Sequence, residues 1–208
     1  MIRSRLVLTM LIGVTILSLG IPLALIVMRR AIAAPAVPLS GVVPSAVSEV
    51  RPIQLTNHLG ELFGTSNLQG KVALLYFGYT FCPDICPTEL GYLAKVMRGL
   101  GEDAAQVVPV FISVDPERDS QQVLAEYVPL FDSRLVGLHG SPAEIAAVAK
   151  SYGIMHQKTN VVTKQASYYL IDHTSTIFVL DRHGRIADTL DSDTSIEVAV
   201  ARLRRLLR

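Results

Sequence analysis

Two cysteines occur in the 208 residues, and both fall in one short stretch, Phe77-Gly78-Tyr79-Thr80-Phe81-Cys82-Pro83-Asp84-Ile85-Cys86-Pro87. A thiol pair this close can form a bridge, exchange electrons with another protein's thiols, or share a soft metal ion. As an inert staple it would close a very short loop, and short loops gain least from bridging. On one helical face, side chains four apart have Cβ atoms about 5–6 Å apart. A disulfide needs about 3.5–4.5 Å, so a modest adjustment of the loop closes one, and the same spacing lets two thiolates converge on a metal. This holds if the first turn of the following helix reaches back to Cys82. The helix N-terminus carries a partial positive charge and free N–H groups, which predicts that both sulfurs are more acidic than a free thiol. Pro83 and Pro87 stiffen the loop.

Two thiolates alone are an incomplete metal site. Structural zinc takes four protein ligands, and no further cysteine exists. Thiolates favour Cu(I), and imidazole suits copper as well. Of the five histidines, His183 lies in a predicted hairpin turn, His58 in the loop-like Thr56-Asn57-His58-Leu59-Gly60, and His139 just before a helix. His156 follows Met155, whose thioether could add a weak copper contact; a methionine is more commonly core filler. His173 stands just before a strand, beside Asp172, which could orient it. A lone histidine beside a strand is commonly structural, so these residues alone leave the nitrogen donor open. Asp115 after a buried strand and Asp84 inside the cysteine loop read equally as site-tuning charges or as turn residues.

The elements that must position these groups are legible. Val72–Phe77 is a continuous apolar run, the mark of a strand buried on both faces. From Pro87 to Leu100 the residues Leu90, Leu93, Ala94 and Met97 recur at helical spacing. Val107–Val114 is a second buried strand, 120–128 a helix and Leu135–Leu138 a short strand. Ser141-Pro142-Ala143-Glu144 opens a helix with a capping box that runs to about Tyr152. Thr174–Leu180 and Arg185–Leu190 form a hairpin turning at Gly184, and Thr194 to Glu197 reads as the cap of a final amphipathic helix. The order predicts an α/β domain with a mixed central sheet flanked by helices, ending β-β-α as a thioredoxin-like fold does.

Upstream, Leu6 to Met28 is apolar and uncharged. At about 1.5 Å per residue it spans the roughly 30 Å core of a bilayer. It is longer than the h-region of a signal peptide, and Arg29-Arg30 follow at once, so residues 1–30 read as one retained transmembrane helix. Residues 31–48, with Pro35, Pro38 and Pro44 among small uncharged residues, read as a tether, and 49–208 as the folded domain. Arg3 and Arg5 on one side balance Arg29 and Arg30 on the other, so charge does not orient the anchor. A net charge of +1 carries no nucleic-acid footprint. The arginines at 202, 204, 205 and 208 read as a solvated helix face.

The cysteine stretch resembles the F-G-[YF]-T-x-C-P-D-x-C-P signature of the Sco/SenC copper-binding proteins. Ser113-Val114-Asp115-Pro116-Glu117-Arg118-Asp119 resembles their S-[VI]-D-P-x-R-D segment, and Asp172-His173-Thr174 their D-H-[ST] segment. The similarity runs from about residue 51 to the C-terminus. It implies a thioredoxin-like domain that holds copper, as Cu(I) or Cu(II), through Cys82, Cys86 and His173. The implied role is a membrane-anchored metallochaperone that helps assemble the binuclear copper centre of cytochrome c oxidase, in place of catalysis. The copper-receiving subunit of the oxidase is the implied partner, and the periplasmic side of a bacterial inner membrane the implied location. A thiol–disulfide oxidoreductase using a redox Cys82–Cys86 pair on the partner's cysteines is the alternative. A peroxiredoxin-like peroxidase is a distant third, because its activated cysteine needs a different neighbourhood.

Overall fold

A computed structural model describes residues 53–163 and 167–208. The apolar run and the tether therefore lie outside the described residues. Among those that are described, no helix is long and apolar enough to cross a membrane.

Among the described residues, nine strands and four α-helices follow the order β1 (Gln54–Asn57), β2 (Leu62–Gly64), β3 (Val72–Gly78), α1 (Ile85–Leu100), β4 (Val107–Ser113), α2 (Gln121–Tyr127), β5 (Val136–His139), α3 (Pro142–Ser151), β6 (His156–Val162), β7 (Ser167–His173), β8 (Ile177–Leu180), β9 (Ile186–Leu190) and α4 (Ile196–Leu206). Seven strands form one mixed sheet, ordered β2-β1-β5-β4-β3-β8-β9. β3 runs parallel to β4 and antiparallel to β8, and every residue of β3 is buried. That central place is why its sequence is apolar without alternation. The predicted face of α1 is the buried one, with Leu90, Leu93, Ala94 and Met97 in the core. α1 lies against α4 so closely that a Cβ on Gly99 would come within 2.9 Å of Val200 Cγ2. The β-α-β unit followed by β8-β9-α4 matches the expected thioredoxin-like order.

Four details depart from the sequence reading. α1 starts at Ile85 with Asp84 at its N-cap, so Cys82 stands in the bend before the helix and shares no helical face with Cys86. The stretch around His58 is the turn of a β1–β2 hairpin, where Asn57 Oδ1 accepts the N–H groups of Leu59 and Glu61, both at 2.9 Å. The N-cap of α4 is Ser195, one residue later than expected, because Thr194 turns its N–H and hydroxyl to Asp191 at 3.1 and 3.0 Å. Most consequentially, β6 and β7 form a separate antiparallel two-stranded ribbon. Its first strand, His-Gln-Lys-Thr-Asn-Val-Val, is polar and mostly exposed, so no hydrophobic period announces β6. In β7, Ser-Tyr-Tyr-Leu-Ile-Asp-His, only Ile171 is fully buried among the described side chains.

Candidate metal and thiol site

The chain leaves β3 at Gly78, turns through Tyr79–Asp84, and enters α1. Gly78 has no side chain for a physical reason: a Cβ there would lie 2.9 Å from Phe111 Cε2 and 3.0 Å from Cys86 Sγ. The backbone must pass this close so that Cys86, the second residue of the helix, points back under the strand end. Cys86 is fully buried. The Cys82 sulfur is half-buried and accepts the Cys86 backbone N–H at 3.4 Å, satisfying one of the free donors of the helix start. Both cysteines are unbridged.

Burial overrides the helix end at Cys86. Its thiol is pushed up to about 12, chiefly because a thiolate there would be stripped of water. The expectation that both sulfurs are more acidic than a free thiol is therefore wrong for Cys86 in the metal-free protein. The environment penalises an isolated charge; a cation bound there would reverse that balance.

His173, the last residue of β7, reaches the same point. Its Nε2 lies 3.3 Å from Cys86 Sγ. Its Nδ1 lies 3.0 Å from the carbonyl oxygen of Thr174. A carbonyl only accepts, so Nδ1 carries the proton, and Nε2 presents its lone pair to the sulfur. The ring stands edge-on to Tyr79 and Tyr76, with centroids at 5.8 and 6.2 Å. Burial lowers its pKa, which keeps the imidazole neutral, the form that binds metals. Among the described residues no three His, Cys, Asp or Glu side chains already converge on one point. Cys86 and His173 meet, and the Cys82 thiol is near enough to disfavour ionisation of Cys86. A cavity of about 300 Å³ opens over these groups between Tyr79, Cys82–Ile85 and Leu170–His173.

The other candidates fall elsewhere or in supporting roles. His58 Nδ1 accepts the Gly137 N–H at 3.2 Å, and His139 ends β5 opposite Thr56. His183 is exposed in the β8–β9 turn, its N–H on Asp181 Oδ1 at 2.9 Å. Met155 is 79 % exposed, so it is not core filler. His156 pairs across the ribbon with His173, and both line a second, open cavity of about 770 Å³. Asp84 is exposed and caps no N–H with its side chain. Asp115 is more than a turn residue: it is fully buried and accepts a hydrogen bond from the Tyr169 hydroxyl at 2.8 Å. Sequence reasoning did not single out Tyr79, Arg118, Asp119 or Tyr169, although the first three lie in segments quoted for their family resemblance.

A thioredoxin-like domain with a thiol pair at the start of its first long helix, and an imidazole brought against one sulfur from a separate ribbon, is the class of protein defined by this fold and site. A sequence profile described as SCO1/SenC matches residues 44–208. The chain belongs to the SCO1/SenC family. It is 32 % identical to the SCO2-like protein RP587 of Rickettsia prowazekii, over 83 % of this chain and 85 % of that one. It is 46 % identical to the mitochondrial protein SCO1 homolog 1 of Arabidopsis thaliana over 62 % of this chain, a match that spans only 38 % of the plant protein. The structure of Bradyrhizobium japonicum ScoI with copper bound superposes with a TM-score of 0.68 at 44 % identity, covering 75 % of this chain and 98 % of that one.

Proposed function

We propose that this chain is a copper metallochaperone that holds the ion through Cys82, Cys86 and His173 and passes it to a copper-receiving subunit of cytochrome c oxidase. The observation that carries this reading is the 3.3 Å approach of His173 Nε2, lone pair inward, to the buried Cys86 sulfur. Two sulfurs and one imidazole suit Cu(I) at low coordination number. The copper bound to the Bradyrhizobium relative supports the same ion here. The copper is cargo, so the chain needs tight but exchangeable binding and no bond-making step. Cys82, half-buried where Cys86 is fully buried, is the more accessible donor through which ligand exchange with a partner would begin. The apolar run Leu6–Met28 would tether the domain at the periplasmic face of a bacterial inner membrane, raising its effective concentration near a membrane-bound target.

The test is copper stoichiometry and affinity on the full-length reduced chain in detergent, beside the His173→Ala variant. One copper per chain in the parent, with binding weakened by at least tenfold in the variant, is the expected result. Absence of copper binding in the reduced parent would overturn the reading.

A second reading is favoured by the asymmetry of the two sulfurs. Cys82 is accessible while Cys86 is buried as a thiol. In thiol exchange, a Cys82 thiolate would attack a partner disulfide and release one partner thiol. Cys86 would then attack Cys82 in the mixed disulfide and release the second. The partner gains two electrons and two protons, and a Cys82–Cys86 disulfide forms. Oxidase maturation that survives His173→Ala would select this reading over copper delivery.

A further inference from the structure

The three proposed ligands come from two parts of the chain that share no sheet. Cys82 and Cys86 belong to the turn and helix after β3, and His173 to the β6–β7 ribbon. Something must index one against the other. The loop after β4, residues 114–119, grips both.

On the cysteine side, the Asp119 carboxylate accepts the Thr80 N–H at 2.9 Å, the Thr80 hydroxyl at 2.6 Å and the Ser113 hydroxyl at 2.6 Å. Thr80 is two residues from Cys82, and Asp119 is 1 % exposed. On the ribbon side, Asp115 accepts from the Tyr169 hydroxyl at 2.8 Å and from Arg118 Nε. Arg118 Nη1 donates to the Tyr169 carbonyl oxygen at 2.9 Å, and the guanidinium lies 3.7 Å from the centre of the Tyr169 ring. The same cation covers Phe81, beside Cys82, at 4.7 Å. Tyr169, Ile171 and His173 are spaced by two along β7, so they share one face of the ribbon. The Ile171 N–H adds a bond to Tyr79 Oη at 3.2 Å. A shift of the ribbon by even one residue would break the contacts that Tyr169 and Ile171 make and turn His173 to the other face.

We propose that Asp115, Arg118 and Tyr169 form a clamp that sets the position of His173 over the two sulfurs. They are positioning residues and touch no metal. This rests on the copper reading only for its consequence on affinity; the clamp itself is a property of the metal-free protein.

Tyr169→Phe keeps the ring under the guanidinium and removes only the hydroxyl, with its bond to Asp115 at 2.8 Å and its longer contact to Glu117 Oε2 at 3.4 Å. The full-length chain in detergent is compared with this variant by hydrogen exchange in the copper-free state and by Cu(I) competition in the loaded state. Expected are faster exchange of the ribbon amides at 169–173, unchanged exchange in β3 and β4, and about tenfold weaker Cu(I) binding. In a His173→Ala background the Tyr169→Phe effect on affinity should vanish, because the clamp acts through that imidazole. Arg118→Lys, which keeps the charge but loses the fork onto Asp115 and the Tyr169 carbonyl, should show the same pattern. Unchanged ribbon exchange in both variants would overturn the clamp. So would an affinity loss of equal size with and without His173. A parent that binds no copper would refute the metallochaperone reading alone, and the ribbon exchange would still decide the clamp.

Discussion

At the scale of single residues, the site is built by burial against charge. Cys86 shows it most directly. Its thiol is pushed up to about 12 from an ordinary 9.0 by loss of water around the sulfur. The folded protein thus binds a proton there that the unfolded chain releases. The stability from this group is complete below about pH 9 and is lost progressively as pH rises toward 12. Alkylation of the reduced, copper-free protein should accordingly label Cys82 well before Cys86 at pH 8–10, with Cys86 reactive only as the fold loosens. Equal labelling of both would contradict the burial described above. Gly78 gives a second expectation. Gly78→Ala would drive a methyl to 3.0 Å or closer from Phe111, Cys86 Sγ and Tyr76. Overpacking of this kind costs about 1–3 kcal/mol, measurable as a lowered denaturation midpoint, and it should also disturb copper binding because one of the crowded atoms is a proposed ligand. The sulfurs were visible in the sequence from their spacing, and His173 from the family resemblance. A helix N-terminus is a local signal and predicts an acidic Cys86, whereas the burial that outweighs it comes from the folded core around the sulfur.

At the scale of elements, strands β3 and β4 and helices α1 and α3 were legible because each carries a strong local signal. β3 is a closed apolar run. α3 opens with a complete capping box, in which Ser141 Oγ accepts the Glu144 N–H at 3.3 Å and Glu144 returns to the Ser141 N–H at 2.7 Å. Ser141→Ala should therefore cost about 1 kcal/mol by chemical denaturation, with copper affinity unchanged because α3 supplies none of the proposed ligands. The β6–β7 ribbon was not legible. Its order comes from cross-strand pairing and from the proposed clamp on Tyr169; β6 carries no apolar period, and the alternation of β7 is too short and too polar at its ends to stand out. Pro87 is a strong first-turn signal and predicts a start of α1 two residues later than Ile85, where the helix begins with no side-chain cap from Asp84 to mark it.

At the scale of the whole molecule, the sheet and its helices form a domain that encloses one hydrophobic core. Copper should stabilise it by binding to the folded state alone. A free Cu(I) concentration about one hundred times the Kd should add about 2.7 kcal/mol to the free energy of unfolding. The rise in melting temperature should disappear in a Cys82→Ser/Cys86→Ser variant and shrink in His173→Ala. An equal rise in all three would place the copper elsewhere.

The seven-stranded sheet is continuous without β6 and β7, since β8 pairs directly with β3. The ribbon is thus a cassette, entered after α3 and left before β8. The thiol pair resides in the chassis, and the proposed nitrogen donor, His173, sits in the insert. Ribbons exchanged between related chains would transplant or delete the imidazole while leaving the thiol pair in place. On the proposed reading, a carrier of metal and an exchanger of disulfides would differ by this one insert, with the core left as it is.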